Sequence, residues 1–212
     1  MTPIRAIIFD LGNVLLPFDH GRMVSQLAAL VGADPKAVHD DWFGDATRFA
    51  EYENGAFDGP ALHRMFAERY GEAPFEAFAA AASDIFTPDD AMERLVRDLK
   101  AAGYRLVLLS NTSDLHIEFI RARYAILEPF DELVLSYEQK LSKPDAAIYR
   151  VAVERAGCEA SECVFVDDRP ENVAGAEAAG IVSHRFTNRE TLLRWFAERG
   201  VADESGAPTP IS

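Results

Sequence analysis

The run Ile4-Arg5-Ala6-Ile7-Ile8-Phe9 ends at Asp10, and the turn Leu11-Gly12-Asn13-Val14 follows it. Short apolar runs of this kind are typical of strands that are covered on both faces. A carboxylate at the carboxyl end of such a strand lies where open α/β sheets bind ligands. We therefore expect Asp10 to act as a nucleophile, as a metal ligand, or as both.

Further short apolar runs alternate with amphipathic helical stretches along the chain. The predicted strands are Ile4–Phe9, Arg105–Leu109, Glu132–Leu135, Val164–Val166 and Val182–Phe186. The predicted helices of this part are Ser113–Tyr124, Asp145–Ala156, Glu171–Ala179 and Arg189–Arg199. Such alternation predicts βαβ units. The fold class is therefore α/β, with a Rossmann-like, mainly parallel sheet that carries helices on both faces.

The region between the first two strands breaks this rhythm. It shows helical patterns, with Gly and Pro between them, at Gly21–Val31, Asp58–Tyr70 and Phe75–Phe86. We predict a helical cap domain over residues 17–87, called the insert below, which lies above Asp10 and hinges near Pro17 and Thr87-Pro88. The catalytic core would then comprise residues 1–16 and 88–201. Residues 202–212 are polar with two prolines and are predicted to form a flexible tail.

The net charge of the chain limits which partners it can bind. The 212 residues carry a formal net charge of −14, which argues against binding to nucleic acid or to an anionic membrane surface. A phosphorylated substrate would need a local cation. No apolar run approaches the roughly 18 residues that span a bilayer, and the N-terminus lacks a signal-peptide pattern. We expect a cytoplasmic protein that acts on a small molecule, with Cys158 and Cys163 as reduced structural thiols; the sequence does not indicate an oligomeric state.

Polar residues also follow the later strands. Ser110 and Asn111 come after the second strand, and a hydroxyl with free backbone N–H groups at a helix start can cradle an anion. The same residue types favour helix N-caps, and both roles can hold together. Lys143 precedes Pro144, which fits the first turn of a helix; it can reach the site and offset negative charge there, and Lys140 is the weaker candidate.

Asp167 and Asp168 end the fourth strand. Two adjacent carboxylates that face Asp10 repel one another unless a cation lies between them. Mg²⁺ suits such a site, because it is a hard ion that prefers oxygen ligands and bridges to phosphate.

Asp10, Ser110, Lys143 and Asp167-Asp168, in this order on successive strand ends, resemble the motifs of the haloacid dehalogenase superfamily of hydrolases. The resemblance covers nearly the whole chain, and the insert is similar to the helical type 1 cap of that family. It implies that Asp10 attacks phosphorus to form an aspartyl phosphate, and that Ser110, the Asn111 backbone and Lys143 bind the phosphoryl group. It also implies Mg²⁺ ligation by Asp10, the Gly12 carbonyl and Asp168. Asp167 would act through water or hydrogen bonds, and Asn172 would support this loop or the metal shell.

Gly12 departs from the family pattern. Most phosphatases of the superfamily have an aspartate there, which protonates the leaving alcohol. The string Phe9-Asp10-Leu11-Gly12-Asn13-Val14 resembles bacterial α-D-glucose-1-phosphate phosphatases, and the resemblance extends to Glu53-Asn54-Gly55. An anomeric phosphate has a better leaving group and needs less help from an acid. We therefore predict Mg²⁺-dependent hydrolysis of a small phosphomonoester such as a hexose 1-phosphate, with Asp19 and His20 as possible proton-transfer residues.

Other functions stay open at this point. A 2-haloacid dehalogenase would share the fold and the attacking aspartate but need no metal. A non-catalytic phosphometabolite-binding protein would explain Gly12. A phosphonate-cleaving enzyme would need a Schiff-base lysine in the insert, where Lys36 stands alone. The aromatic residues of the insert either line a pocket roof or form its core, and core is the more frequent case. These residues are Trp42, Phe43, Phe49, Tyr52, Phe57 and His63.

Overall fold

The computed structural model describes residues 2–44 and 46–211. Within this part of the chain, one sheet contains five strands. They are β1 (Ala6–Phe9), β2 (Arg105–Ser110), β3 (Glu132–Leu135), β4 (Cys163–Asp167) and β5 (Val182–Arg185). All neighbouring strands pair in parallel, in the order β3-β2-β1-β4-β5. The predicted α/β fold with a mainly parallel sheet is confirmed, and each predicted strand is present within one or two residues.

Helices fill the rest of the chain. Before β2 the structure has α1 (His20–Val31), α2 (Pro35–Phe43), α3 (Ala46–Glu53), α4 (Gly59–Tyr70), α5 (Phe75–Ser83) and α6 (Asp90–Ala101). After β2 it has α7 (Asp114–Arg123), α8 (Ser136–Gln139), α9 (Ala146–Ala156), α10 (Pro170–Ala178) and α11 (Arg189–Ala197), with a 3₁₀ turn at Ala160–Glu162. None of these helices is both long enough and apolar enough to span a bilayer.

The side chains of β1 alternate between two hydrophobic cores. Ile7 and Phe9 pack into one core, and Ala6 and Ile8 pack into the other. The first core includes apolar residues of α6, α7 and α11, and the second includes residues of α9 and α10. The first consists of large aliphatic and aromatic residues, among them Leu95, Ile117 and Phe196. The sheet is therefore covered by helices on both faces, as the continuously apolar strands predicted.

Strand order places a ligand crevice beside β1. The chain moves from β1 to β2 and β3 in one direction and then crosses to β4 on the other side of β1. Open α/β sheets bind ligands outside the carboxyl ends of their strands at such a reversal. Asp10 follows β1 directly, and its N–H donates to the Val166 carbonyl at 2.9 Å, so the pairing with β4 continues up to Asp10.

Helices α1–α5 belong to the predicted insert, and its two connections lie side by side. Phe18 and Phe86 form an isolated antiparallel bridge. The Asp19 N–H donates to the Ile85 carbonyl at 3.1 Å, and the Thr87 N–H donates to the Pro17 carbonyl at 2.8 Å. The chain therefore enters and leaves the insert at one place, next to the two predicted hinges.

The predicted tail makes hydrogen bonds to the core. The Thr209 N–H donates to the Val201 carbonyl at 2.9 Å, and the Ile211 N–H donates to the Ala102 carbonyl at 3.0 Å. Asp203 closes the turn between them, because its carboxylate accepts from the backbone of Ser205 at 2.8 Å. Cys158 and Cys163 are free thiols whose sulfur atoms lie 3.5 Å apart.

Candidate active site

Lys143 joins two of the predicted site carboxylates. Its Nζ lies 2.7 Å from Asp10 Oδ1 and 2.7 Å from Asp167 Oδ2. The side chain of Lys143 is 1% exposed, and those of Asp10 and Asp167 are 10% and 0% exposed. The three groups come from distant parts of the chain, and the carboxyl ends of β1 and β4 bring the two aspartates together.

Asn111 holds the loop that carries Lys143. Its side-chain amide donates to the Lys143 carbonyl at 3.0 Å, and its oxygen accepts the Lys143 N–H at 2.9 Å.

The expectation that Pro144 sits in the first turn of a helix was wrong. Pro144 lies in a turn, and α9 begins at Ala146 with Asp145 as its N-cap. The reason is that Asp145 accepts from the Ala147 N–H at 2.8 Å and so sets the helix start after the proline.

Asp167 is fully engaged by protein groups. Besides Lys143, it accepts hydrogen bonds from the Asn172 amide at 3.0 and 3.1 Å and from the Arg169 N–H at 2.9 Å. Asn172 is buried in the first turns of α10. The structure places Asn172 beside the cluster, where its side-chain contact is with Asp167.

Asp10, Asp167 and Asp168 form the one group of potential metal ligands found in the described residues. Carboxylate oxygens from the three residues lie within 4.8 Å of one another. Asp168 is only partly buried and has a hydrogen bond from the Asn13 side chain. The protein engages Asp167 more than Asp168, so Asp168 is the better placed of the pair to contact a cation directly.

The electrostatics of the site match this crowding of negative charge. Burial raises the pKa of the Asp10 carboxyl to about 6, Lys143 opposes this, and the charge of Asp167 adds to it. Burial alone would lower the pKa of Lys143, but the charges of Asp10 and Asp167 outweigh it and hold this pKa above its ordinary value. The lysine is therefore charged at neutral pH. One positive charge against three carboxylates leaves the site with net affinity for a cation.

Ser110 and Asn111 lie at the end of β2, beside this cluster. Ser110 is 2% exposed, and its hydroxyl makes a long 3.4 Å hydrogen bond to the Asn111 carbonyl. The Asn111 side chain is occupied by the Lys143 backbone. A direct part of Asn111 in anion binding would therefore fall to its backbone, as the sequence analysis expected, while its side chain positions Lys143.

Gly12 is crowded by the insert. A Cβ atom at position 12 would lie 2.6 Å from Cε1 of Phe18. Phe18 in turn packs on Phe86, with ring centroids 6.2 Å apart. A longer side chain at position 12 therefore requires Phe18 to move.

Glu53 lies at the candidate site, but the sequence analysis did not predict a role for it. It noted Glu53-Asn54-Gly55 only as part of the family resemblance. Glu53 ends α3 and lines a small cavity together with Gly12, Ser110 and Asn111. Burial raises the pKa of Glu53 to about 7, with Lys143 opposing the shift and Asp10 adding to it. No local pattern marks this role, because it depends on how the insert folds back over β1.

The two proton-transfer candidates, Asp19 and His20, differ in position. Asp19 is exposed and caps α1 by accepting from the Gly21 N–H at 2.7 Å. His20 lines the cavity, packed between the rings of Phe18 and Phe43 at 4.8 and 5.0 Å. The structure thus gives Asp19 a capping role and leaves His20 next to the site.

Most of the aromatic residues of the insert pack against one another in its hydrophobic core and do not line the cavity above Asp10. Trp42 packs on Phe66 and Phe78, and His63 contacts Phe78 while bonding to the Ala73 carbonyl at 2.8 Å. Tyr52 stacks on Phe57, and its hydroxyl donates to Asp114 at 2.6 Å. Phe43 and Phe49 contact His20, which lines the cavity.

Comparison with known proteins gives consistent results. A family model described as a haloacid dehalogenase-like hydrolase matches residues 4–180. The chain is 26% identical to the sesquiterpene phosphatase astK of Aspergillus oryzae, over 88% of this chain and 92% of that protein.

Two solved structures share the fold. One is a HAD family enzyme, bt-2542 from Bacteroides thetaiotaomicron, with a TM-score of 0.79 and 24% identity over 92% of this chain and 99% of that one; it has also been crystallised with magnesium and inorganic phosphate. The other is an L-2-haloacid dehalogenase from Xanthobacter autotrophicus, with a TM-score of 0.63 and 18% identity over 98% and 92% of the two chains. The fold alone therefore does not separate the two chemistries.

Proposed function

Because the chain belongs to the haloacid dehalogenase-like hydrolase family, we propose that it is a phosphatase that cleaves a small phosphomonoester with Asp10 as the nucleophile. The main support is the buried Lys143, which lies 2.7 Å from Asp10 in a chain that is otherwise strongly acidic. This lysine supplies the local cation that a phosphorylated substrate needs.

The donor set fits Mg²⁺. Three carboxylates within reach of one another are hard oxygen donors of the kind this ion prefers. Asp10, Asp168 and the Gly12 carbonyl would hold the ion, with Asp167 holding the surrounding groups through its hydrogen bonds. When bound, Mg²⁺ would neutralise charge between the nucleophile and the phosphoryl oxygens.

The proposed reaction has two steps, and the residues of the site have separate roles in them. The Asp10 carboxylate attacks phosphorus and forms an aspartyl phosphate as the leaving group departs, and water then cleaves this intermediate. An ammonium has three N–H donors, and Asp10 and Asp167 engage two in Lys143, so one remains for a phosphoryl oxygen. The Ser110 hydroxyl and the Asn111 backbone would bind the other oxygens.

The insert would act as a lid over this site. The cavity beside Gly12 has a volume of about 40 Å³, whereas pockets that bind small ligands have volumes of about 300–1,000 Å³. A phosphorylated metabolite therefore needs the insert to swing away about the paired connections near Pro17 and Thr87. Closure would then exclude water from the first step.

A sugar 1-phosphate is the substrate class we favour. Gly12 provides no acid for the leaving group, and an anomeric oxygen leaves more readily than an ordinary alkoxide. The resemblance of the stretch Phe9–Val14 to α-D-glucose-1-phosphate phosphatases supports the same class.

Charge disfavours the dehalogenase alternative. A metal-free haloacid dehalogenase would bind an anionic substrate next to three carboxylates and a single lysine, and the carboxylate excess would repel it. The non-catalytic alternative differs from the phosphatase only in turnover, so kinetics decide between them.

The test is phosphate release from a panel of sugar phosphates, with Mg²⁺ and then with EDTA. We expect metal-dependent release by the wild-type protein, and its loss in Asp10→Asn. Asp98→Asn, an exposed residue of α6, is the matched control and should keep full activity. Absence of release from every compound would overturn the proposal, and chloride release from 2-chloropropionate without metal would favour the dehalogenase.

A further inference from the structure

One proton transfer in the proposed reaction has no donor, since Gly12 replaces the usual acid. We propose that Glu53 of the insert is the general acid and base of this enzyme. This inference rests on the proposed phosphatase function. It assigns the missing catalytic group to a carboxyl that comes from the insert and not from the β1 loop.

The two steps balance with a single carboxyl. In the first, the Asp10 oxygen bonds to phosphorus, the bond from phosphorus to the leaving oxygen breaks, and Glu53 gives its proton to that oxygen. In the second, water bonds to phosphorus, the bond to Asp10 breaks, and the Glu53 carboxylate takes the water proton. Alcohol and inorganic phosphate leave, and Glu53 regains its protonated form.

Glu53 lines the cavity that adjoins the nucleophile loop and the phosphate-binding loop. It shares the cavity with Gly12, whose position the usual acid would occupy, and with the phosphate-binding residues Ser110 and Asn111. Within the described lining of this cavity, the other titratable side chains are those of His20 and His116. Burial lowers the pKa of both histidines, for His116 to about 4, so neither carries a transferable proton readily at neutral pH.

The core fixes the position of Glu53. The Ser136 hydroxyl lies 2.5 Å from the Glu53 carbonyl and accepts the Thr112 N–H at 3.0 Å, which joins the insert to the phosphate-binding loop. The next residue, Asn54, has its Oδ1 3.2 Å from the Ser142 hydroxyl, and the Gly55 carbonyl accepts from Lys140. The backbone of Glu53 is thus anchored without use of its carboxyl.

The charges around Glu53 suit a group that must both give and take a proton. Burial raises its pKa, the charges of Lys143 and Arg169 lower it, and the charge of Asp10 raises it. The resulting pKa is about 7. An acid or base is most effective when its pKa lies near the working pH. Phe18 explains why the group comes from the insert, since it fills the space that a side chain at position 12 would need.

The experiment compares Glu53→Gln with wild type across aryl and alkyl phosphates whose leaving groups range from 2,4-dinitrophenol to a simple alcohol. Glu51→Gln, an exposed residue of the same helix, is the matched control. Phosphoenzyme formation is followed in rapid-quench experiments, so that the first step is measured alone. We expect a loss of about 10²–10⁴ for the alkyl phosphate and a loss of less than about tenfold for the dinitrophenyl ester, which needs no acid. The limb of the wild-type pH profile near pH 7 should disappear.

Two results would overturn the assignment. An equal loss for all leaving groups would mean that Glu53 binds or positions substrate, and full activity of Glu53→Gln on the alkyl phosphate would mean that another group moves the proton. Both are distinct from failure of the proposed function, in which the wild-type protein itself releases no phosphate from any ester. Thermal unfolding of Glu53→Gln verifies folding, since the backbone carbonyl that Ser136 contacts is unchanged.

Discussion

Lys143 is the residue on which the site depends electrostatically. It is buried with two carboxylates, each 2.7 Å from its Nζ. A buried ion pair adds little net stability when it is complete, but loss of one partner leaves an uncompensated charge in a poorly solvated place. The arrangement therefore secures the position and charge of Asp10, the proposed nucleophile, more than it stabilises the fold.

Replacement of Lys143 should cost both stability and turnover. In Lys143→Met, Asp10 and Asp167 stay buried without their cation, and we expect a loss of roughly 3–5 kcal/mol in the free energy of unfolding, with phosphate release abolished. Urea denaturation at pH 8 in EDTA measures the first effect. Lys100→Met is the control: Lys100 pairs with Asp131 at 2.5 Å but is 41% exposed, so its loss should cost less than about 1 kcal/mol. Equal costs for the two variants would contradict this view of the site.

The sequence predicts the residues at the strand ends better than their partners. Asp10 and Asp167 could be brought together in advance, because parallel strands present their carboxyl ends at one edge, and Lys143 was expected to reach them from the loop before the next helix. Asn13, Ser136 and Glu53 could not. Their roles depend on contacts across dozens of residues, such as that between Ser136 and Glu53, and no local pattern encodes them.

At the scale of elements, the strands and long amphipathic helices follow from periodicity, and short helices were missed. Helix α2 was not predicted, although Asp34 and Pro35 form an N-cap followed by proline, which is a recognised start signal. Helix α8 has four residues, too short to show a period. Helix α9 begins one residue after its predicted start, because Asp145 acts as the N-cap, and Pro144 therefore lies outside the first turn.

Several hydrogen bonds between the insert and the core lie in one segment, which runs from Tyr52 to Gly59. Asp114, at the start of α7, accepts the Tyr52 hydroxyl at 2.6 Å and the Gly59 N–H at 2.7 Å. The same segment includes Glu53. Its docking on the core is therefore coupled to the geometry of the proposed proton transfer.

Tyr52→Phe should loosen this docking. It removes a hydrogen bond to a carboxylate, for which we expect a cost of about 1.5–3 kcal/mol in the free energy of unfolding and a lower kcat on alkyl phosphates. Tyr70→Phe is a matched control, because the Tyr70 hydroxyl makes a bond of the same length, 2.6 Å, to Asp41 inside the insert. Its kcat should be unchanged. Unfolding curves and steady-state kinetics on both variants provide the test, and equal kcat values for Tyr52→Phe and wild type would refute the coupling.

At the scale of the whole molecule, a buried histidine links stability to pH. His116 is 7% exposed between insert and core, with Nε2 3.3 Å from the Ala82 carbonyl of α5. Burial lowers its pKa from 6.5 to about 4. The unfolded chain therefore binds a proton that the folded chain rejects between these values, and the fold loses stability as the pH falls through this range.

We expect wild type to lose up to roughly 3 kcal/mol relative to His116→Gln between pH 7 and pH 4. Urea denaturation of both proteins in EDTA measures the difference. Asp10 and Glu53 have raised pKa values and act with the opposite sign, but they are present in both proteins and cancel in the comparison. A difference that stays constant with pH would show that His116 is protonated in the folded state.

The bridge between Phe18 and Phe86 bears on how the insert could be replaced during evolution. If the insert were removed, the chain would have to be rejoined between Pro17 and Thr87. These two residues are already joined by a hydrogen bond. A different insert can therefore be joined at these two positions without a change in the register of the strands. Under the proposed function, such an exchange would alter substrate preference and keep the groups at the strand ends, but the new insert would have to supply a carboxyl in place of Glu53.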